Sequence, residues 1–215
     1  REENLPLYPN APYSGGVTSN TGDSIRAGIA IDADTMNMQS TWAAPVFHVP
    51  GEDRGRLSTV ERALPGCIMV NQKGERYLNE AASYHVTGQV MARRHKEQGD
   101  GSPSWMIFDH KYRHTFPMGP LYPIVPDWMH KKGIRTILKK ANTIEALAEK
   151  IDMDPSTLAG TLARFNENAE KGLDPDFNRG EAAYDRMYGD PRNQPNPNLR
   201  PLTIGPYYAM PIYPG

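Results

Sequence analysis

The residues best suited to chemistry in this chain are its tyrosines, 11 in 215 residues. Tyr84 follows the run Asn79-Glu80-Ala81-Ala82-Ser83, where a helix is expected to begin, and Tyr207, Tyr208 and Tyr213 gather near the end. A tyrosine hydroxyl can donate a hydrogen bond to a carbonyl or, once ionised, remove a proton. The second role near neutral pH needs neighbours or charge that bring the phenol down from about 10. Composition alone leaves each tyrosine an amphipathic core residue. The histidines offer one i, i+4 pair, His110 and His114, without the glutamate of a protease motif and with a proline close by, so no metal site is expected. Cys67 is the single cysteine, which excludes an internal disulfide and a cysteine-based zinc site. There is no Gly-x-Gly-x-x-Gly, no Gly-x-x-x-x-Gly-Lys-Ser/Thr and no Gly-x-Ser-x-Gly. A complete phosphate-binding loop and a serine nucleophile are therefore both missing.

The elements that would hold these residues can be read from pattern. Asp23, after Asn20-Thr21-Gly22, predicts the cap of a helix that carries Ile25 and Ile29 on one face. Cys67 to Asn71, a turn over Gln72 to Glu75, and Arg76 to Glu80 read as a β-hairpin. A helix over Ala81 to Gln98 follows, with Gly88 as its weak point and Gly99 as its stop; Trp105 to Asp109 is a short buried strand. Asn142 with Glu145 predicts a capping box for Thr143 to Ile151, and Asp154-Pro155 starts a helix whose Leu158, Leu162 and Phe165 form a core stripe before Gly172. The stretch from Leu173 to Leu202, rich in Asp, Pro, Asn and Gly, reads as an ordered, wrapping loop.

The apolar share of 38% with 19 Gly and 20 Pro predicts a globular protein with long connections. A formal net charge of −1 argues against nucleic acid or an anionic membrane surface as main partner, and Lys131-Lys132 with Lys139-Lys140 reads as a solvated helix face. No run approaches the roughly 20 apolar residues of a membrane span. No signal-peptide pattern is visible, so a cytoplasmic setting is expected. Both ends read as cut, since Tyr207 to Tyr213 is an apolar run directly before the last residues.

A family enters at the expected hairpin. Arg62-Ala63-Leu64-Pro65-Gly66-Cys67-Ile68-Met69-Val70-Asn71 with Gly74-Glu75-Arg76-Tyr77-Leu78-Asn79-Glu80 resembles the arginine-glycine-asparagine-glutamate signature of the fumarate reductase and 3-ketosteroid dehydrogenase flavoproteins. Asn20 to Asp23, Asp176 to Gly180 with Tyr184-Asp185, and Gly205 to Ala209 resemble further elements in the same order, although Ser24 stands where the family has glycine. The resemblance implies an α+β fold: a substrate-capping domain over residues 61–202, with parts of an FAD-binding domain at 1–60 and 203–215. It implies FAD as cofactor, the FAD-binding domain of the same parent chain as partner, and a ketone or steroid as substrate. Tyr84 occupies the sixth position from the Asn of Asn-Glu, where the fumarate-reducing branch keeps an arginine and the ketosteroid 1-dehydrogenases a tyrosine base. Tyr213 would polarise the ketone together with backbone amides. His48, 13 residues before Glu61, would touch substrate, and Asp23 would serve the FAD side. The implied reaction removes a proton beside a ring ketone and passes hydride from the next carbon to the flavin. A fumarate or enoate reductase, and a cap that is silent in isolation, are the alternatives.

Overall fold

A computed structural model describes residues 13–17 and 19–215, so the polar, Pro-rich opening segment lies outside the described residues. The described part mixes helices with one six-stranded antiparallel sheet. Its strands are β1 (Pro45–Phe47), β2 (Arg56–Leu57), β3 (Cys67–Val70), β4 (Ser104–Asp109), β5 (Lys139–Ala141) and β6 (Tyr207–Pro214). The long strand β6 is the axis: β4 pairs along one edge from Ser104↔Ile212 to Asp109↔Tyr207. Its other edge is shared by β5, from Lys139↔Ala209, and β1, through Val46↔Tyr213.

The middle of this sheet is buried on both faces, which is why its strands read as unbroken apolar runs. Alternation along each strand then sorts the side chains. Tyr208, Met210 and Ile212 join Phe47, Cys67, Met69, Met106 and Phe108 in one core. Ala209, Ile107, Ile68 and Val70 face a second core built by α5 (Ile144–Lys150) and α6 (Pro155–Glu170). In α6, Asp154 accepts from the Thr157 amide at 2.8 Å with Pro155 in the first turn, and Leu158, Leu162 and Phe165 are buried as their spacing predicts.

Several sequence expectations need correction. Residues 76–80 are not a strand, because β3 pairs instead with β4 and the polar side chains of the segment turn into a buried ion network. Asp23 does not cap α1 (Asp23–Ala30): Gly22 holds the cap position at φ 81°, a left-handed conformation suited to glycine, and Asp23 bonds Thr21 and Arg26 within its own turn. Thr143, not Asn142, caps α5 by accepting from the Ala146 amide. The helix expected from Ala81 begins three residues later, as α2 (Tyr84–Gln98), because the Asn79 side chain first closes a turn onto the Ala81 amide and Ser83 then takes the cap.

The ion network fixes that start. Arg76 makes paired hydrogen bonds to Glu80 at 2.8 and 2.7 Å and to Asp174, both at 2.8 Å, while its guanidinium lies between the rings of Phe165 and Phe177. Arg179, fully buried, reaches Glu80 at 3.2 Å and the carbonyls of Arg62, Leu64 and Cys67. Arg62, also buried, donates to the Glu80 carbonyl at 2.6 Å and to the Thr87 hydroxyl at 3.1 Å, so it holds both the approach to α2 and its first turn. Asp185 and Asn198 extend the network by bonding Asn79, the Gly180 amide and the Ala63 carbonyl. These contacts also tie down the expected wrapping loop, which carries one short helix, α7 (Ala183–Met187).

Burial alone would push the Glu80 carboxyl up, but Arg76 and Arg179 outweigh it and hold it at about 2. A carboxyl lowered from 4.5 contributes stability above about pH 4.5 and loses it as pH falls towards 2. Glu80→Gln should therefore cost about 3–5 kcal/mol at neutral pH, since it takes the paired carboxylate from the buried Arg179 guanidinium, while Arg76 keeps Asp174. The same substitution should flatten the loss of stability between pH 4.5 and pH 2, which urea titrations across that range will measure. Burial likewise pushes the Cys67 thiol up to about 11. The native protein should leave this thiol unlabelled by an aromatic disulfide reagent at pH 8, and denaturant should expose it.

Candidate functional site

The lateral end of the sheet gathers the candidate residues. Val46 opposes both Leu57 and Tyr213, so these three side chains share one face, and His48 joins them two residues along. Phe47 and Ile212 point the other way, into the core. Tyr13 covers this face: its ring lies 4.0 Å from that of Tyr213 and 4.9 Å from that of His48. His48 is half-buried, and its Nδ1 is buried with no hydrogen-bond partner among the described residues. Burial, with a smaller contribution from Tyr13, raises the Tyr213 hydroxyl above its ordinary 10. Tyr213 is thus suited to stay neutral and donate a hydrogen bond rather than to act as a base.

A cleft of about 500 Å³ lies near this cluster, lined in part by Ser14, next to Tyr13, and by Gly215, two residues after Tyr213. Tyr84, at the first position of α2, lines it together with Leu57 and Trp42. The reason lies one turn further along the helix. Gly88 packs so closely on the residues before β1 that an added Cβ would come within 2.8 Å of Ala43 Cβ and 3.0 Å of the Ala44 nitrogen. The glycine that weakens the helix pattern is what lets α2 approach the sheet and carry Tyr84 to the cleft.

The sequence-predicted residues therefore separate into groups. Tyr213 and His48 meet around Tyr13, and Tyr84 lines the nearby cleft. Asp23 stands apart on α1, a helix with no buried residue, with its side chain 76% exposed and paired to Arg26. Sequence reasoning missed Tyr13; no local pattern marks it, because its partners lie across the sheet. The His110 and His114 rings are 4.3 Å apart, and among the described residues no group of three or more His, Cys, Asp or Glu is placed to hold a metal ion.

FAD can be tested against the donors of the cleft. Bare backbone at Gly15, Gly16 and Gly215, hydroxyls at Ser14, Thr41 and Thr59, and the Trp42 ring make a wall suited to a flat, uncharged ring system. Among the described residues, the lining holds no Lys or Arg to meet a diphosphate. The residues present thus fit the ring end of the cofactor and not its diphosphate arm.

The FAD binding domain family matches residues 3–215. The 3-oxosteroid 1-dehydrogenase of Mycolicibacterium smegmatis is 38% identical over 97% of this chain and 37% of its own length. A solved 3-ketosteroid Δ1-dehydrogenase from Sterolibacterium denitrificans, in complex with 1,4-androstadiene-3,17-dione, superposes with a TM-score of 0.91 at 41% identity, over 99% of this chain and 38% of that one. A flavocytochrome c3 fumarate reductase, solved in an open conformation, shares the fold alone, with a TM-score of 0.66 at 23% identity over 99% of this chain and 32% of that one. The chain thus spans a little over a third of the length of the dehydrogenases it matches. It belongs to the FAD binding domain family of flavoproteins.

Proposed function

We propose that this chain is part of an FAD-dependent dehydrogenase that introduces a double bond beside a ring ketone, with 3-ketosteroids as the substrate class. One observation carries the reading: Tyr84 lines an uncharged cleft whose wall also includes Ser14 and Gly215, close in the chain to Tyr13 and Tyr213, and burial raises the Tyr213 hydroxyl above its ordinary 10. In this reading Tyr213 donates its hydroxyl proton in a hydrogen bond to the ketone oxygen and acidifies the adjoining carbon. Tyr84, as its phenolate, takes the proton from that carbon and becomes the neutral phenol. FAD, when bound, supplies the acceptor for the hydride leaving the next carbon. His48, whose ring packs against that of Tyr13, contributes to the substrate wall. Asp23, exposed on α1, belongs to the FAD side.

In domain terms, residues 61–202 act as the substrate cap, and residues 1–60 and 203–215 belong with the FAD-binding domain of a longer parent chain, in a cytoplasmic setting. The exposed Ile25, Ile29 and Ile31 of α1 and its exit suit such a partner. Two features disfavour fumarate: Tyr84 cannot clamp a carboxylate as arginine does, and the cleft lining holds no cation. The sequence lacks the dinucleotide fingerprint Gly-x-Gly-x-x-Gly, and we expect no activity from the isolated chain.

In the full-length protein, Tyr84→Phe should lower turnover of a 3-ketosteroid by roughly 10²–10⁴-fold, the usual worth of a positioned acid or base. Bound FAD, read from its absorbance, should be unchanged. Undiminished ketosteroid turnover, or wild-type turnover of fumarate with a reduced dye in its place, would contradict the proposal.

A further inference from the structure

Tyr213 belongs to neither buried core, so the sheet by itself leaves its ring room to turn. Its aromatic partner is Tyr13, from the segment before α1. The two ring centroids lie 4.0 Å apart, with their planes 35° from each other. The same Tyr13 ring meets that of His48 at 4.9 Å, on the face that also carries Val46 and Leu57. A tyrosine has two side-chain torsions, and a ring packed this closely against it leaves one direction for the hydroxyl. Burial, and after it Tyr13, raise that hydroxyl above its ordinary 10, so the group being aimed is a hydrogen-bond donor.

Tyr13 is seated through its main chain as well. The Ser14 carbonyl accepts from the Gly55 amide at 3.0 Å. A Cβ on Gly55 would collide with the Tyr13 carbonyl oxygen and come within 2.8 Å of Val46 Cβ. One on Gly215 would come within 2.8 Å of the same oxygen. Two glycines far apart in sequence therefore clear space for one carbonyl, and Gly215 stands two residues after Tyr213. Bare backbone at these two points sets how near the Tyr13 ring comes to its partner.

We propose that Tyr13 is a positioning residue for the reaction described above: seated against Gly55 and Gly215, its ring fixes the direction in which the Tyr213 hydroxyl meets the ketone oxygen. This inference rests on that reading and extends it to a residue that transfers no proton. Tyr13 supplies ring area and not a hydroxyl, so phenylalanine should replace it and a flexible aliphatic side chain should not. A donor aimed in advance needs no reorganisation when charge grows on the ketone oxygen. A misplaced donor loses most of that benefit, because a shift of about 1 Å can cost about 100-fold in rate.

Ligand binding to the full-length, oxidised, FAD-loaded protein tests it, read from the flavin absorbance. Two probes are compared: 1,4-androstadiene-3,17-dione and its analogue without the ring-ketone oxygen that Tyr213 is to meet. Tyr13→Leu should weaken the dione about tenfold, the worth of one hydrogen bond, and the deoxy analogue by less than about twofold. Gly55→Ala, which displaces the Tyr13 carbonyl, should produce the same selective loss. Tyr13→Phe, the conservative variant, should restore the wild-type preference for the ketone. In a Tyr213→Phe background, Tyr13→Leu should remove no further ketone preference. Equal weakening of both probes by Tyr13→Leu, weakening of neither, or a Tyr13→Phe protein that loses the preference would overturn the inference. A Tyr213→Phe protein that keeps the full ketone preference would instead contradict the reaction proposed above, and this inference with it.

Discussion

A single buried carboxylate organises this structure. Glu80 lies between Arg76 and Arg179, and three segments distant in sequence meet on it: the stretch after β3, the helix entry at α2 and the loop after α6. Taking these groups out of water is costly, and the cost is offset only because the guanidinium forks are almost fully paired, with carboxylates on one side and main-chain carbonyls on the other. Apolar residues could fill the same space, but they would not specify where the chain turns. Here the charges decide that Asn79 closes one turn, that Ser83 caps the next, and that Tyr84 comes first in α2.

The sheet supplies the second constraint. Strict alternation along β6 sends Tyr208, Met210 and Ile212 to one core, and leaves Tyr213 on the opposite face beyond the cover of α5 and α6. There it meets Tyr13 and, across β1, the side of the sheet that bears Val46 and His48. Two unrelated devices thus converge. A polar network places Tyr84, a pleated strand places Tyr213, and the close approach permitted by Gly88 closes the distance between helix and sheet.

Much of this was legible in sequence where the signal is local. Asp154-Pro155, the Leu158, Leu162 and Phe165 stripe and the strand through Trp105 to Asp109 follow from capping chemistry and periodicity. Reading failed where a tertiary partner decided. Arg76 to Glu80 has the look of a second hairpin strand, but its charges belong to a network completed by Asp174 and Arg179, about 100 residues away. Asp23 looked like a cap because the φ of Gly22 is invisible in sequence. Tyr13 could not have been picked out, since nothing near it in the chain announces a contact with Tyr213. The family signature bridged part of this gap, because it marks Arg76, Asn79 and Glu80 without stating why those residue types are needed. The structure supplies that reason: they are the buried ion network and its turn.

The proposed reaction needs Tyr84 set against a ring ketone beside FAD. Anaerobic mixing of the full-length, FAD-loaded protein with one equivalent of a 3-ketosteroid tests it most directly. The flavin's visible absorbance should bleach in step with formation of a conjugated double bond, slowed by deuterium on the carbon next to the ketone. A flavin that stays oxidised with the ketosteroid present, or that bleaches at a rate indifferent to that deuterium, would contradict it.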